Sequence, residues 1–233
     1  MSSIRIGGIE KFSIVDFPNR MAAVVFMQGC PWRCPFCHNS HLQDVHTETN
    51  IVWHKFMDFL EQRKGVLDAV VFSGGEPLVQ AELVDAINEV KVLGYQIGVH
   101  TGGYFPARFK EILPLIDWVG FDIKAPLDVD AYKRVTGGIA DVEKVCESLQ
   151  ALCESGKKFE CRTTCDPRFL NIDDIYTIAD SLKNMGVKEY YLQKYRKVPN
   201  DVNTTEEQCL ALVEDEKLLD YLRGIFETFD VRM

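Results

Sequence analysis

Three cysteines lie close together in the segment CPWRCPFC, at Cys30, Cys34 and Cys37. Three thiolates at this spacing can wrap one face of a metal centre. A [4Fe-4S] cluster usually takes four cysteine ligands. A cluster held by only three cysteines therefore keeps one iron open, and a small chelating molecule can occupy that position. The spacing predicts a reaction centre rather than a simple electron carrier.

Structural zinc is the main alternative for the same three cysteines. A Cys3His site would need His38 or His41 as its fourth ligand. His38 directly follows Cys37 and is poorly placed to bind the same ion, whereas His41 is sterically plausible. A zinc-stabilised binding module without catalysis therefore stays open at this point.

Five further cysteines lie outside this segment, at Cys146, Cys153, Cys161, Cys165 and Cys209. Cys161 and Cys165 fall on one face of a predicted strand or just beyond its end, and they could bind a second metal. Free cysteine is among the most buried residue types, so buried thiols are the favoured interpretation for this pair.

Apolar, β-branched runs alternate with amphipathic segments along the chain. The predicted strands are 22–27, 69–72, 96–99, 118–121, 159–163 and 189–192. The predicted helices are 51–64, 79–93, 105–113, 139–155, 172–185 and 205–223. Strict alternation implies a parallel sheet with right-handed crossovers. Six units are too few for a closed eight-stranded barrel, so we predict an α/β fold, an open-mouthed partial (β/α)6 barrel. A doubly wound open sheet is the alternative.

The absence of a linker in the sequence favours a single domain over residues 1–233. Its predicted core covers about 20–223, with a strand or hairpin region at 1–19 and a strand at 228–233. The last helix is predicted to begin with a capping box formed by Thr204 and Glu207.

The five later strands all end in polar or glycine-rich residues. These ends are Ser73-Gly74-Gly75-Glu76, His100-Thr101-Gly102-Gly103, Asp122-Ile123-Lys124, Arg162-Thr163-Thr164 and Gln193-Lys194. The carboxyl ends of parallel strands meet at one side of a barrel or sheet, where active sites form. We expect these residues to gather around the cysteines.

Their chemistry suits a zwitterionic ligand that carries an adenosine. Glu76 supplies an anion for an α-amino group, and Lys124 and Arg162 supply cations for a carboxylate. Asp122 and Gln193 could bond ribose hydroxyls. Gly74 and Gly75, after the second predicted strand, allow a close approach of the backbone.

Two motifs together resemble those of the radical S-adenosylmethionine (SAM) superfamily. They are the cysteine motif, with the aromatic Phe36 before its third cysteine, and Gly74-Gly75-Glu76-Pro77 at the tip of the next strand. The stretch 7–39, GGIEKFSIVDFPNRMAAVVFMQGCPWRCPFCHN, resembles the start of glycyl-radical-enzyme activases. Among these it is most similar to the activating proteins of anaerobic ribonucleoside-triphosphate reductase, and less so to pyruvate formate-lyase activase.

The resemblance implies a partial barrel in which the three cysteines hold the cluster and SAM chelates the fourth iron. It places Glu76 at the amino group, Lys124 and Arg162 beside the carboxylate, and Asp122 near the ribose. Thr101 matches a threonine that lines the same site. Phe36 offers an apolar surface for adenine.

The chain departs from those activases at two places. They carry Asp-Thr-Asn-Gly where this chain has His100-Thr101-Gly102-Gly103, and a ribose-contacting histidine where only Gln193 can be matched. Whether His100 and Gln193 contact the cofactor is therefore a question for the structure.

The resemblance also implies the activity of a radical SAM oxidoreductase. Flavodoxin or ferredoxin would reduce the cluster, and SAM would yield a 5′-deoxyadenosyl radical. That radical would remove hydrogen from a glycine of a glycyl-radical enzyme, anaerobic ribonucleotide reductase first among the candidates. The alternative is a radical SAM enzyme that acts on a small molecule or peptide, as 7-carboxy-7-deazaguanine synthase does.

Composition limits the other possibilities. The net charge of −9 argues against a nucleic-acid binder, which usually presents a basic face. No run approaches the 18 or so apolar residues of a membrane span, and the first residues lack the apolar core of a signal peptide. We therefore expect a cytoplasmic protein.

Overall fold

The computed structural model describes residues 4–139 and 141–233. In this part of the chain eight strands form one sheet, in the order of the sequence. They are β1 (Ile6–Ser13), β2 (Ala22–Met27), β3 (Ala69–Gly74), β4 (Gln96–Thr101), β5 (Trp118–Asp122), β6 (Lys158–Cys165), β7 (Glu189–Lys194) and β8 (Thr228–Arg232). The helices are α1 (Trp53–Glu61), α2 (Leu83–Val92), α3 (Pro106–Ile112), α4 (Val129–Thr136), α5 (Val142–Glu154), α6 (Ile172–Asn184), α7 (Glu206–Ala211) and α8 (Glu216–Ile225).

The strand order confirms a partial barrel. Strands β2 to β8 are parallel, and β1 runs antiparallel to β2. A doubly wound sheet would reverse its order at a switch point, whereas this order is strictly sequential. The sheet ends at β1 and β8, so it stays open on that side.

The edges of the sheet refine the predicted count of six units. Residues 228–232 pair in parallel with β7 and make a seventh parallel strand. In the predicted N-terminal region 1–19, Ile6–Ser13 forms β1, and residues 1–3 lie outside the described residues.

The two faces of the sheet bury different side chains. The outer face packs against the helices through the large apolar core. The inner face holds a smaller apolar cluster near the amino ends of the strands, formed by Phe17, Ala22, Val24, Ala69, Val71 and Trp118. The rings of Phe17 and Trp118 lie 5.4 Å apart. Apolar side chains therefore fill the bottom of the barrel, and its polar residues are left at the carboxyl ends.

The prediction missed one helix, and it was wrong about the extent and the cap of the last one. α4 was not predicted; it is short, and Asp128 caps it by accepting from the backbone N–H of Ala131 at 2.9 Å. The predicted helix 205–223 is two helices, α7 and α8, separated where Asp215 caps α8. Its capping box is formed by Thr205 and Gln208, one residue later than predicted, because either Thr can cap and Gln serves as well as Glu.

The predicted helix 139–155 begins at Val142, and Ala140 lies outside the residues that the structure describes. Over those residues, no helix combines the length and the apolar character that crossing a bilayer requires.

Candidate active site

The loop that carries the three cysteines follows β2 and is fixed by backbone hydrogen bonds. The N–H groups of Gly29 and Cys30 donate to the carbonyl oxygens of Leu42 and Gln43, at 2.7 and 3.1 Å. The N–H of Arg33 donates to the carbonyl of Thr136 at 2.8 Å. The loop is therefore held at both its beginning and its middle, before any ligand binds.

The glycines after β3 seat this loop. The N–H of Glu76 donates to the carbonyl oxygen of Gly29 at 2.8 Å. A Cβ at Gly75 would lie 2.2 Å from that same oxygen, so only glycine allows the two segments to meet. The close approach predicted for these glycines is thus an approach of the cysteine loop itself.

Gly137 ends α4 and supports the same loop. It adopts a left-handed conformation, with φ of 75°, and a Cβ there would lie 2.7 Å from the backbone oxygen of Arg33. Gly156 has a similar φ of 69° but open space around it. Substitution at Gly156 therefore tests backbone strain alone, whereas substitution at Gly137 adds steric overlap with Arg33.

We expect Gly156→Ala to lower the free energy of unfolding by about 1 kcal/mol, the cost of a left-handed alanine. Gly137→Ala should lower it clearly more, because its methyl group also displaces the cysteine loop. Thermal and chemical denaturation of the two variants test this. Equal losses would show that the contact with Arg33 contributes nothing.

A cavity of about 250 Å³ opens beside the cysteines at the carboxyl ends of the strands. It brings together all but one of the predicted site residues. They are Cys30, Cys34, Phe36, Cys37, Ser73, Gly74, Gly75, Glu76, Thr101, Asp122, Lys124 and Arg162. The convergence follows from the topology, since the tips of β2 to β6 meet at one end of the barrel.

Gln193 is the exception among the predicted residues. It lies in a neighbouring cavity of about 610 Å³, on the side where the barrel is open. The two cavities share His38, Arg162 and Thr164. Gln193 therefore lines the cavity next to the one that holds the cysteines. The Thr164 hydroxyl lies 3.5 Å from the side-chain oxygen of Gln193.

Glu76 is a buried carboxylate with neutral partners. It accepts hydrogen bonds from the hydroxyl of Thr101 at 2.7 Å, from the N–H of Gly102 at 2.9 Å and from the N–H of Leu78 at 3.2 Å. Burial raises its pKa, and these bonds oppose the rise. Glu76 forms no ion pair within the described ranges. Its charge is thus available to a cationic ligand group.

Asp122, Lys124 and Arg162 form one ionic group instead of acting separately. The Arg162 guanidinium binds Asp122 at 2.8–2.9 Å, and the Lys124 ammonium lies 3.7 Å from the same carboxylate. Burial alone would raise the pKa of Asp122, but the two cations outweigh it and lower that pKa. Two cations and one anion leave one positive charge, which suits a ligand carboxylate.

The thiols of Cys30 and Cys34 are poorly solvated. Burial is the main cause that raises the pKa of Cys30 to about 12 and that of Cys34 to about 11. These raised pKa values favour the protonated thiols. A bound metal favours the thiolates instead, because a coordinating thiol is deprotonated. All three thiols of the loop are free of disulfides.

The zinc alternative finds no fourth ligand in the described part of the chain. His41 is exposed and lies outside the cavity lining, and His38 Nε2 contacts the carbonyl oxygen of Arg196 at 2.8 Å. In residues 4–139 and 141–233, no three Cys, His, Asp or Glu side chains are arranged around a single ion. Three thiolates on three different irons of a cluster have no need to converge on one point.

Comparison with known families decides the superfamily. The family model described as Radical SAM superfamily matches residues 24–182, well over half of the chain. The chain belongs to the radical SAM superfamily. The match spans β2 to α6, and so includes the cysteine loop and the polar tips of β3 to β6.

Two relatives extend the likeness of this radical SAM enzyme over nearly the full chain. A Methanocaldococcus jannaschii protein named for glycyl-radical enzyme activation is 31% identical over 222 residues, 91% of this chain and 88% of the relative. A pyruvate formate-lyase-activating enzyme of Clostridium pasteurianum is 31% identical over 242 residues, 96% of this chain and 98% of the relative. The resemblance to activases expected from residues 7–39 is confirmed.

A solved structure shows the same fold. Streptococcus suis SuiB, determined with bound S-adenosylmethionine, superimposes with a TM-score of 0.69 at 16% identity. The match covers 88% of this chain, and this chain spans about half of SuiB, 48% of its length.

Radical SAM enzymes use a [4Fe-4S] cluster and SAM, and the residues present fit both. Three free thiols line a cavity that no other cysteine of the described chain reaches. The same cavity is lined by Glu76, a carboxylate without a cationic partner, and by the ionic group of Asp122, Lys124 and Arg162, which has a net positive charge. Cys161 and Cys165, considered for a second metal, are fully buried in the core, where no third ligand joins them within the described residues.

His100 lines the cavity of this radical SAM site from below. Its Nε2 donates to the carbonyl oxygen of Asp16 at 2.9 Å, and its Nδ1 lies 3.2 Å from the Ser73 hydroxyl, which donates to it. Burial lowers the pKa of His100 to about 3, and the Arg162 charge adds to the effect. The imidazole is therefore neutral and ties the N-terminal segment to the strand tips.

This low pKa predicts a dependence of stability on pH. The unfolded chain binds a proton at His100 near its ordinary pKa of 6.5, and the folded protein does so only near 3. The stabilisation is complete above about pH 6.5 and is lost as the pH falls toward 3. Lowering the pH from about 7 to about 5 should cost about 2 kcal/mol through this group.

Unfolding curves of the parent and His100→Gln at the two pH values isolate this contribution. The variant keeps a polar amide and loses the titration, so its stability should fall less than that of the parent. Identical pH dependence in the two proteins would contradict the burial argument.

The sequence interpretation assigned no cofactor-binding role to seven residues of the cavity lining: Trp32, His38, Asn39, Gln43, His100, Gly102 and Thr164. Trp32 lies inside the cysteine motif itself, and Gly102 directly follows β4. Neither side chain carries a charge, so a search for charged groups passes over both residues. The departure of Gly102 from the activase pattern was the available signal.

Proposed function

We propose that this enzyme, working as one radical SAM domain, installs a glycyl radical on a glycyl-radical enzyme, and that this partner is an anaerobic ribonucleotide reductase. The names of the two relatives support the class of reaction. The choice of reductase rests on the resemblance of residues 7–39. A peptide loop of the partner would bring its glycine to the cavity.

The observation that carries the proposal is that two cavities adjoin each other at the open side of the barrel. The 250 Å³ cavity beside the cysteines and the 610 Å³ cavity at the open side of the barrel share three lining residues, His38, Arg162 and Thr164. That outer cavity is bordered by Val15 and Asp16 on one side and by Arg196 and the β8 end on the other. A cavity of this size at the open side of the barrel can admit a segment of another protein.

The proposed roles of the residues follow from their contacts. The three cysteines would hold the cluster, Glu76 the α-amino group of SAM, and Lys124 its carboxylate. Phe36 would support the adenine, and the remaining residues of the predicted set would complete the wall. When bound, the reduced cluster supplies the electron that cleaves SAM to methionine and a 5′-deoxyadenosyl radical.

We propose flavodoxin or ferredoxin as the electron donor and the cytoplasm as the location. Thiols of the kind found in the cavity stay reduced in that compartment. Purified donors, added one at a time to the cluster-loaded enzyme, would identify the one that supports SAM cleavage.

The experiment is paramagnetic resonance on the complete reaction. The loaded enzyme is reduced, mixed with SAM and anaerobic ribonucleotide reductase, and frozen. A glycyl doublet that is absent when the reductase glycine is replaced by alanine supports the proposal. Methionine release without a doublet on any glycyl-radical enzyme would favour a small-molecule or peptide substrate instead.

A further inference from the structure

Trp32 lies in the middle of the cysteine loop and is almost fully buried, with 2% of its surface exposed. The edge of its ring packs against Gly102, and Tyr104 meets it edge to face with ring centres 5.7 Å apart. The residue therefore occupies a fixed place between the loop and the tip of β4. It also lines the cavity that the cysteines share with the strand tips.

The indole N–H of Trp32 has no acceptor. It is the single buried side-chain nitrogen or oxygen without a hydrogen-bond partner in the described residues. Leaving a buried donor unpaired costs about 1–3 kcal/mol. For comparison, the N–H of Trp53 donates to Glu89 at 2.7 Å. An acceptor that reaches Trp32 with a bound group would remove this cost.

The face of the same ring contacts Lys124. The Lys124 ammonium lies 5.1 Å from the ring centre of Trp32, a cation–π distance. Gly102 allows this arrangement, because a Cβ there would lie 2.2 Å from a ring carbon of Trp32 and 3.3 Å from Cε of Lys124. The glycine that departs from the activase pattern is thus the one that makes room for the indole.

We infer that Trp32 belongs to the cofactor site. Its ring face positions the Lys124 ammonium, and its N–H donates to an anionic acceptor that arrives with the cofactors. That acceptor is either a carboxylate oxygen of SAM or a sulfur of the cluster. The inference rests on the proposed role of Lys124 at the carboxylate, and it is independent of the partner protein.

The test compares cluster-loaded parent, Trp32→Phe and the control Trp53→Phe, without any partner protein. Two quantities are measured: the Kd for SAM, by anaerobic equilibrium dialysis, and the midpoint potential of the cluster before SAM is added. A Kd about tenfold higher in Trp32→Phe at unchanged potential identifies the carboxylate as the acceptor. A lower potential identifies a cluster sulfur, because hydrogen bonds to the sulfurs raise it. Parent-like values of both quantities would overturn the inference.

A second variant guards against loss of the cluster in Trp32→Phe. Gly102→Ala keeps the indole N–H, but its methyl group must displace the ring. We expect a weaker affinity for SAM, with little further loss when Trp32→Phe is added, because the two changes disturb one contact. An unchanged Kd in loaded Gly102→Ala would also overturn the inference. These measurements need no glycyl-radical enzyme, so a wrong choice of partner leaves them unaffected.

Discussion

Cys34→Ser is expected to abolish both cluster binding and SAM cleavage. Cys34 is the middle one of the three cysteines, and its thiol faces the cavity with those of Cys30 and Cys37. Two remaining thiolates can no longer enclose one face of the cluster. The iron content after anaerobic reconstitution should fall from about four per chain to well below one. Methionine release from SAM should fall with it to the background rate.

Cys146→Ser is the matched control for this variant. Cys146 lies half-buried on α5, away from the cavity. Its replacement should leave both iron content and SAM cleavage at parent values, which separates the loss of a ligand from the loss of any thiol. A Cys34→Ser protein that retains the full iron content would exclude the three-cysteine centre.

Glu76→Gln is expected to weaken SAM binding by about 100-fold, since losing one member of a buried charge pair costs about 2–5 kcal/mol. The variant removes the negative charge that we assign to the α-amino group. It also turns an amide toward the N–H groups of Gly102 and Leu78, which now lack an anionic acceptor. Iron content should stay unchanged, because Glu76 is no cluster ligand. Equilibrium dialysis of the loaded variant with SAM measures the effect.

Glu160→Gln is the control, because it removes a carboxylate that is as buried as that of Glu76. Glu160 is 1% exposed and accepts from both terminal nitrogens of Arg232, at 2.5 and 2.8 Å. Its replacement should lower stability but leave the Kd for SAM near the parent value. If Glu76→Gln bound SAM as the parent does, the assignment of the amino group to Glu76 would be wrong.

Much of the site could be predicted because the fold brings together residues that are far apart in the sequence but lie at the ends of parallel strands. Glu76 lies just after β3, Asp122 ends β5 and Arg162 lies near the end of β6. Each follows an apolar run that predicts the strand, and parallel strands place those ends together. The bounds of β2, Ala22–Met27, agree fully with the prediction, which rests on a short apolar run rich in small and β-branched residues. Local pattern and topology were sufficient there.

Other features depend on distances that no local pattern encodes. Gln193 follows its strand as the others do, but β7 lies toward the open side of the barrel, so its side chain enters the second cavity. The ionic group around Asp122 and the contact of Trp32 with Gly102 join segments 40 and 70 residues apart. Such contacts follow from strand order and packing, and they appear only when the chain is folded.

The transfer of one hydrogen atom tests the central claim most directly. The loaded enzyme is reduced and incubated with SAM and an anaerobic ribonucleotide reductase whose glycines carry deuterium at Cα. Mass spectrometry then measures deuterium in the 5′-deoxyadenosine that is released. We expect one deuterium per product molecule, and none when the glycine that donates the hydrogen is replaced by alanine. Unlabelled 5′-deoxyadenosine from the complete reaction would show that the hydrogen comes from elsewhere and would contradict the proposed function.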